Sequence, residues 1–140
     1  MKFAPKTDKE IAEMNLWQPG EYGFEIVEAT SKTSKAGNEM IELEIRVFND
    51  EGSSRTVTDY LMEKLAYKLK HAAVACGLQD KYEQGFLDDV DFVGKTGKLK
   101  LKVTKDKNGQ YPDKNDVADY IVPKNAQDAA PSFINDTIPF

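Results

Sequence analysis

Between Met40 and Phe48 the chain alternates without a break: Ile41, Leu43, Ile45 and Val47 are separated by Glu42, Glu44 and Arg46. A period of two puts the aliphatic set on one face of an extended strand and the charged set, with Met40 and Phe48, on the other. Such a strand buries one side and shows the other to water, which points to a half-solvated antiparallel sheet or barrel. The pattern recurs in Tyr22, Phe24 and Ile26, with Glu25 facing the other way, and in Leu99, Leu101 and Val103 against Lys98, Lys100 and Lys102. Asn49-Asp50-Glu51-Gly52 supplies turn chemistry before a returning strand at Arg55–Tyr60, and Val117–Val122 reads as the last strand, ended by Pro123.

One stretch of length carries a helical period, from about Met62 to Cys76, with Leu65, Leu69, Ala72, Ala73 and Cys76 in phase and Gly77 as its stop. A shorter helical pattern covers Lys9–Asn15, before a turn at Leu16-Trp17-Gln18-Pro19-Gly20. The order strand, strand, strand, helix, strand, strand predicts an all-β domain with one helix. Among such folds it fits the five-stranded OB-fold barrel, with the helix between strands 3 and 4. The expected organisation is an N-terminal arm over residues 1–16, the OB-fold domain over 17–123, and a flexible tail over 124–140. In that tail Asn125 to Ser132 shows no period and reads as a tether.

Composition narrows the function. The chain has 140 residues, 40% hydrophobic and 31% charged, as in a soluble globular domain. No apolar run approaches the ~20 residues of a membrane span. Met1-Lys2-Phe3-Ala4-Pro5 lacks a secretory apolar region, and the lone Cys76 has no internal disulfide partner, so a cytoplasmic protein is expected. The net charge is −5, and without the tail's Asp128 and Asp136 the body still holds 19 basic against 22 acidic residues. A nucleic-acid site must therefore arise from local clustering.

Clusters are present. Lys32 and Lys35 fall in a polar loop over residues 31–38, Arg46 faces outward on strand 2, and Arg55 lies on strand 3. Lys98, Lys100 and Lys102 line the outer side of strand 4, while Lys105 and Lys107 enter the loop before strand 5. Phe48, Tyr60 and Tyr111 are interleaved as candidate stacking rings. Cations that track phosphates beside rings that stack bases are what a sequence-tolerant single-strand binder needs. The plainer account of Lys-x-Lys-x-Lys is a solvated sheet face guarded against edge pairing.

The C-terminal segment Asn135-Asp136-Thr137-Ile138-Pro139-Phe140 sets a ring and a carboxylate on one residue, after a proline that restricts Ile138 toward extended geometry. It resembles the terminal peptide of bacterial single-stranded DNA-binding proteins, an acidic stretch closed by Ile-Pro-Phe. Asp136, Ile138, Pro139 and Phe140 match that tip, while Thr137 stands where the family usually has another acid. Leu16 to Tyr22 and Tyr111-Pro112-Asp113 resemble, more loosely, the divergent small proteins of this kind encoded by phages.

The resemblance implies a protein that binds and protects single-stranded DNA in replication, recombination or repair, in the host cytoplasm if phage-encoded. Its tip would recruit partner proteins, and a homo-oligomer is compatible with the pattern. The competing account of the tip is that its apolar residues fold back onto the domain.

Two further classes stand beside this one. The first is an adaptor that competes for repair-protein pockets without binding DNA. The weaker second is a metal-dependent nuclease built on Asp88, Asp89 and Asp91. Enzyme chemistry has little else to stand on. His71 is the sole histidine, CxxC and HExxH spacings are absent, and Gly94-Lys95-Thr96-Gly97-Lys98 is not a phosphate loop. No catalytic residue, cofactor or metal ligand is expected.

Overall fold

The computed structural model describes residues 1–123. In chain order it holds α1 (Asp8–Met14), β1 (Gly20–Thr33), β2 (Glu39–Phe48), β3 (Ser54–Leu61), α2 (Ala66–Ala75), α3 (Gln79–Glu83), α4 (Asp89–Phe92), β4 (Thr96–Thr104) and β5 (Lys114–Tyr120). The strands form one antiparallel sheet in the order β3-β2-β1-β4-β5.

The expectation of a single helix is corrected: three short helices separate β3 from β4, and α1 precedes β1. Met62–Leu65 is a turn closed by the Leu65 N–H on the Met62 carbonyl at 3.0 Å, so α2 begins only at Ala66. Gly77, at φ 76°, ends α2 as its sequence suggests. The acidic run before β4 is a helix start, where Asp88 and Asp91 form a capping box on α4.

Two strands also shift their limits, β5 closing at Tyr120 and not at Val122. β1 continues through Thr33, which places Lys32 on the strand opposite Met40 and not in the loop. β5 begins at Lys114, earlier than Val117, because Asn115 takes a buried position that a polar residue conceals from hydrophobic patterning.

Alternate residues of each strand face the core, among them Phe24, Ile26, Leu43, Ile45, Val47, Leu99, Leu101 and Val117. Ala72, Ala73 and Cys76 of the α2 region and the fully buried Phe92 of α4 join them. Contact there is close. A Cβ on Gly97 would sit 3.0 Å from the Ala75 carbonyl oxygen and 3.1 Å from the Phe24 ring, which only glycine permits without displacement. A bulge between Ile26 and Glu28 bends the long β1 where the Ile26 N–H donates to the Lys95 carbonyl (2.9 Å) and the Gly94 N–H to the Ile26 carbonyl (2.8 Å). Beyond the bulge β1 pairs with β2 alone.

The sheet order leaves β3 and β5 as its two edges. They lie beside each other and run the same way, because Arg55 reaches Asn115 near the start of both strands and Tyr120 reaches Asp59 near their ends. Among the described residues these side chains, and no backbone ladder, tie the edges together.

Candidate nucleic-acid interface

A groove of about 810 Å³ follows the two facing edges. Arg55 through Tyr60 of β3 form one side, and Lys114 through Val117 of β5 with Lys102 of β4 form the other. Ala12 and Leu16 line it from the N-terminal segment, with Pro112 and Asp113 from the loop before β5. Past Tyr60 the surface opens into a second hollow of about 440 Å³, lined by Lys32, Met40, Met62 and Leu65.

Two clasps keep the edges together. Asp59, 7% exposed, accepts the Tyr120 hydroxyl at 2.7 Å and the Lys68 ammonium at 2.6 Å, so β3, β5 and α2 meet on one carboxylate. Burial, reinforced by the Asp59 charge, pushes the Tyr120 phenol well above its ordinary range. At the other end the Arg55 guanidinium donates to Asn115 Oδ1 and to the Asn15 carbonyl, and lies 5.4 Å from the centre of the Trp17 ring. Asn115 also holds Trp17 by its backbone: the Trp17 N–H donates to Oδ1 and Nδ2 donates to the Trp17 carbonyl, both at 2.9 Å.

Where the groove meets the second hollow, the Glu42 carboxylate accepts Lys32 Nζ at 2.6 Å and Tyr60 Oη at 2.9 Å. These hydrogen bonds hold Glu42 below the usual carboxylate range and raise both Lys32 and Tyr60. The side chains of Lys32 and Glu42 are 46% and 23% exposed, so the cluster is reachable from solvent.

A protein-family model described as "Protein of unknown function (DUF669)" matches residues 6–131. The chain belongs to the DUF669 family. The DUF669 match spans every element from α1 to β5. None of the curated proteins matches the chain. No helix among the described residues is long and apolar enough to cross a membrane.

The residues singled out from sequence fall into three groups on this DUF669 fold. Arg55, Tyr60 and Lys102 line the groove, and Lys32 lines the adjoining hollow. Arg55 shares the core side of β3 and is engaged by Asn115, Asn15 and Trp17, so it builds the groove floor.

Arg46, Phe48, Lys98 and Lys100 occupy the solvent face of the sheet. Phe48 pairs with Gly23, and Gly23 with Lys98, setting a ring, bare backbone and a cation in one row. Acids interleave elsewhere on that face: Glu25 is opposite Arg46, Glu21 and Asp119 flank Lys100, and Asp116 is opposite Lys102.

Lys35, Lys105, Lys107 and Tyr111 sit in loops, Tyr111 at 68% exposure. The loop before β5 is ordered by Asp106, whose carboxylate accepts the Gln110 and Tyr111 N–H groups at 2.7 and 3.2 Å. Asp136, Ile138, Pro139 and Phe140 lie outside the described residues.

Sequence reasoning missed Lys68, Lys114, Met62 and Leu65, all of which line the groove or the hollow. Lys114 had a readable signal, since it opens an alternation Lys114, Asp116, Ala118 against Asn115 and Val117 once Asn115 is allowed inside.

The residues behind the nuclease reading have local partners. Asp88 accepts the Asp89 N–H, Asp91 accepts Lys81 Nζ and the Asp88 N–H, and Asp89 accepts the Ser31 N–H, at 2.9 to 3.0 Å. The Ser31 amide lowers Asp89 and the Lys81 ammonium lowers Asp91. Among the described residues no group of three or more His, Cys, Asp or Glu side chains is placed to hold a metal ion. Burial pushes the Cys76 thiol up to about 12.

A pH dependence follows from the lowered carboxylates Glu10, Glu42, Asp89 and Asp91. Their folded values lie below the unfolded ones, so their stabilisation is complete above the ordinary carboxylate range, about 4, and is lost as pH falls through the folded values. The urea midpoint should hold level from about pH 7 to 5 and decline below about pH 4. Asp89→Asn with Asp91→Asn should lower the neutral plateau and flatten that acid limb. An acid limb unchanged in the double variant would contradict this account of α4.

Proposed function

We propose that this protein binds single-stranded DNA along the β3–β5 groove with little sequence preference, in replication, recombination or repair. The carrying observation is the juxtaposition on one groove of an exposed ring, Tyr60, with Lys102 and Lys114 along its length and Lys32 just beyond. Each stacked base contributes roughly 1–3 kcal/mol in such sites, and lysines add a salt-dependent phosphate contribution. We read the fold as an OB-type barrel opened along its β3–β5 seam. The strand order and the side-by-side course of β3 and β5 support this reading, which sets the β1–β2 and β4–β5 loops around the binding surface. Lys98 and Lys100 continue the cation row from Lys102 along β4. No catalytic step, cofactor or metal belongs to this function.

Partner docking is assigned to Asp136, Ile138, Pro139 and Phe140, on the resemblance of that tip to bacterial single-stranded DNA-binding proteins. Burying one phenylalanine supplies roughly 1.5–3 kcal/mol, against about 8 for a micromolar complex, so Phe140 does not suffice alone and Ile138 must contribute as well.

Titration of Trp17 fluorescence with oligo-dT tests the DNA reading, because Trp17 packs beneath Arg55 at one end of the groove. A saturable change with a matching gel shift is expected; a flat titration with no shift would overturn it. One observation favours the adaptor reading: Glu42, Asp59, Asp113 and Asp116 share the groove with Arg55, Lys68, Lys102 and Lys114. An adaptor would ignore oligo-dT and lose its partners when Phe140 is deleted. The DNA-binding protein would lose partners in that deletion and keep its DNA affinity.

A further inference from the structure

We infer that the hollow beyond Tyr60 is a single-nucleotide subsite: it takes one unstacked base, while that nucleotide's phosphate displaces Glu42 from Lys32. The inference rests on the single-stranded DNA reading and adds a location, a chemical division of labour and a residue that restrains binding. Met40, Met62 and Leu65 give the hollow an apolar lining, with Leu65 44% exposed; the exposed Tyr60 lines it with them, and Asp59 and Lys68 add a charge pair. A base has two apolar faces and a polar rim, so it gains from a ring beside it and aliphatic surface beneath it.

Charge complementarity selects a nucleotide over an apolar side chain as the occupant. Lys32 lies on the rim, and its ammonium already holds an oxyanion, Glu42 Oε1, at 2.6 Å. The Tyr60 hydroxyl donates to the other carboxylate oxygen, Oε2, at 2.9 Å. A carboxylate thus sits where two donors converge, as a phosphate would, next to a lining suited to a base. Lys68 also borders the hollow, but its pair with Asp59 is the less accessible one, with side chains 20% and 9% exposed and Asp59 also holding Tyr120. Lys32 and Glu42 meet solvent, and Lys32 is therefore the phosphate ligand. In the unliganded protein Glu42 keeps the ring and the lysine oriented. Entry of the strand exchanges one anion for another, so Glu42 limits affinity as it prepares the site.

Two variants separate the base from the phosphate, measured with oligo-dT and with an abasic strand of equal length and phosphate count. Glu42→Gln removes the competing charge, and both strands should bind about three- to tenfold tighter, with a salt slope steeper by about 0.7. Met62→Ala with Leu65→Ala trims the apolar lining without altering charge. Oligo-dT should then bind about tenfold more weakly while the abasic strand is unaffected. Thermal melts of both variants establish that they are folded. Unchanged or weaker binding by Glu42→Gln, or equal effects of the double alanine variant on both strands, would overturn the subsite while leaving DNA binding elsewhere intact. Failure of the wild-type protein to bind either strand would overturn the subsite and the DNA reading together.

Discussion

Replacing Asp59 with alanine should lower the unfolding free energy by about 3 kcal/mol, seen as a fall of roughly 10 °C in melting temperature for a domain of this size. The carboxylate is 7% exposed and is the common acceptor for Tyr120 and Lys68. Its loss strands the Tyr120 hydroxyl, itself at 3% exposure, without a partner, and an unsatisfied buried polar group costs about 1–3 kcal/mol. Lys68 suffers less, because its side chain retains 20% exposure and can turn to water. The effect reaches beyond one contact, since Asp59–Tyr120 is one of the two side-chain hydrogen-bond links between β3 and β5 among the described residues. A double-mutant cycle with Tyr120→Phe should give a coupling of about 1–3 kcal/mol. A loss under about 1 kcal/mol for Asp59→Ala would mean that the edges are held by something other than this clasp.

Reversing two groove lysines, Lys102→Glu with Lys114→Glu, should weaken oligo-dT binding about 100-fold at low salt and only a few-fold at about 0.5 M salt. Both side chains are exposed, and neither forms an ion pair among the described residues, so the fold should not suffer. Each lost phosphate contact removes about 0.7 from the salt slope, and the added carboxylates repel the strand as well. Asp116, opposite Lys102 in the β4–β5 register, already offsets part of the local field, so further acid here has an outsized effect. Lys70→Glu, on the exposed part of α2 and outside the groove, is the control and should change affinity little. Equal weakening by the control would mean that binding follows overall charge and not this groove.

β2 and β4 were the most legible strands because their aliphatic residues alternate strictly. Ile41 to Val47 and Leu99 to Val103 need only the two-residue period to declare which side is buried. The start of β5 was hidden by Asn115, a polar residue inside because Arg55 and the Trp17 backbone satisfy it. The helical region was over-extended because apolar spacing from Leu65 to Cys76 continues smoothly. The stop at Gly77 was legible, while the Met62–Leu65 turn and the later break at Gly85 depend on backbone geometry.

The candidate site was only partly legible, for a physical reason. A strand sequence says which residues share its face, and nothing about what the neighbouring strands put beside them. Lys98, Lys100 and Lys102 read as a basic stripe, yet registration with β1 and β5 sets Glu21, Asp116 and Asp119 among them. Arg55 read as a phosphate ligand, and its partners Asn115 and Asn15 are 60 and 40 residues away in sequence. The Lys32–Glu42–Tyr60 cluster likewise draws one residue from each of three strands.

The most direct measurement is the equilibrium constant for oligo-dT as a function of sodium chloride concentration. With three to five phosphates engaged, the plot of log K against log salt should be linear with a slope between about −2 and −3.5. A slope near zero, or no binding at low salt, would contradict a groove in which lysines hold the backbone of a single strand.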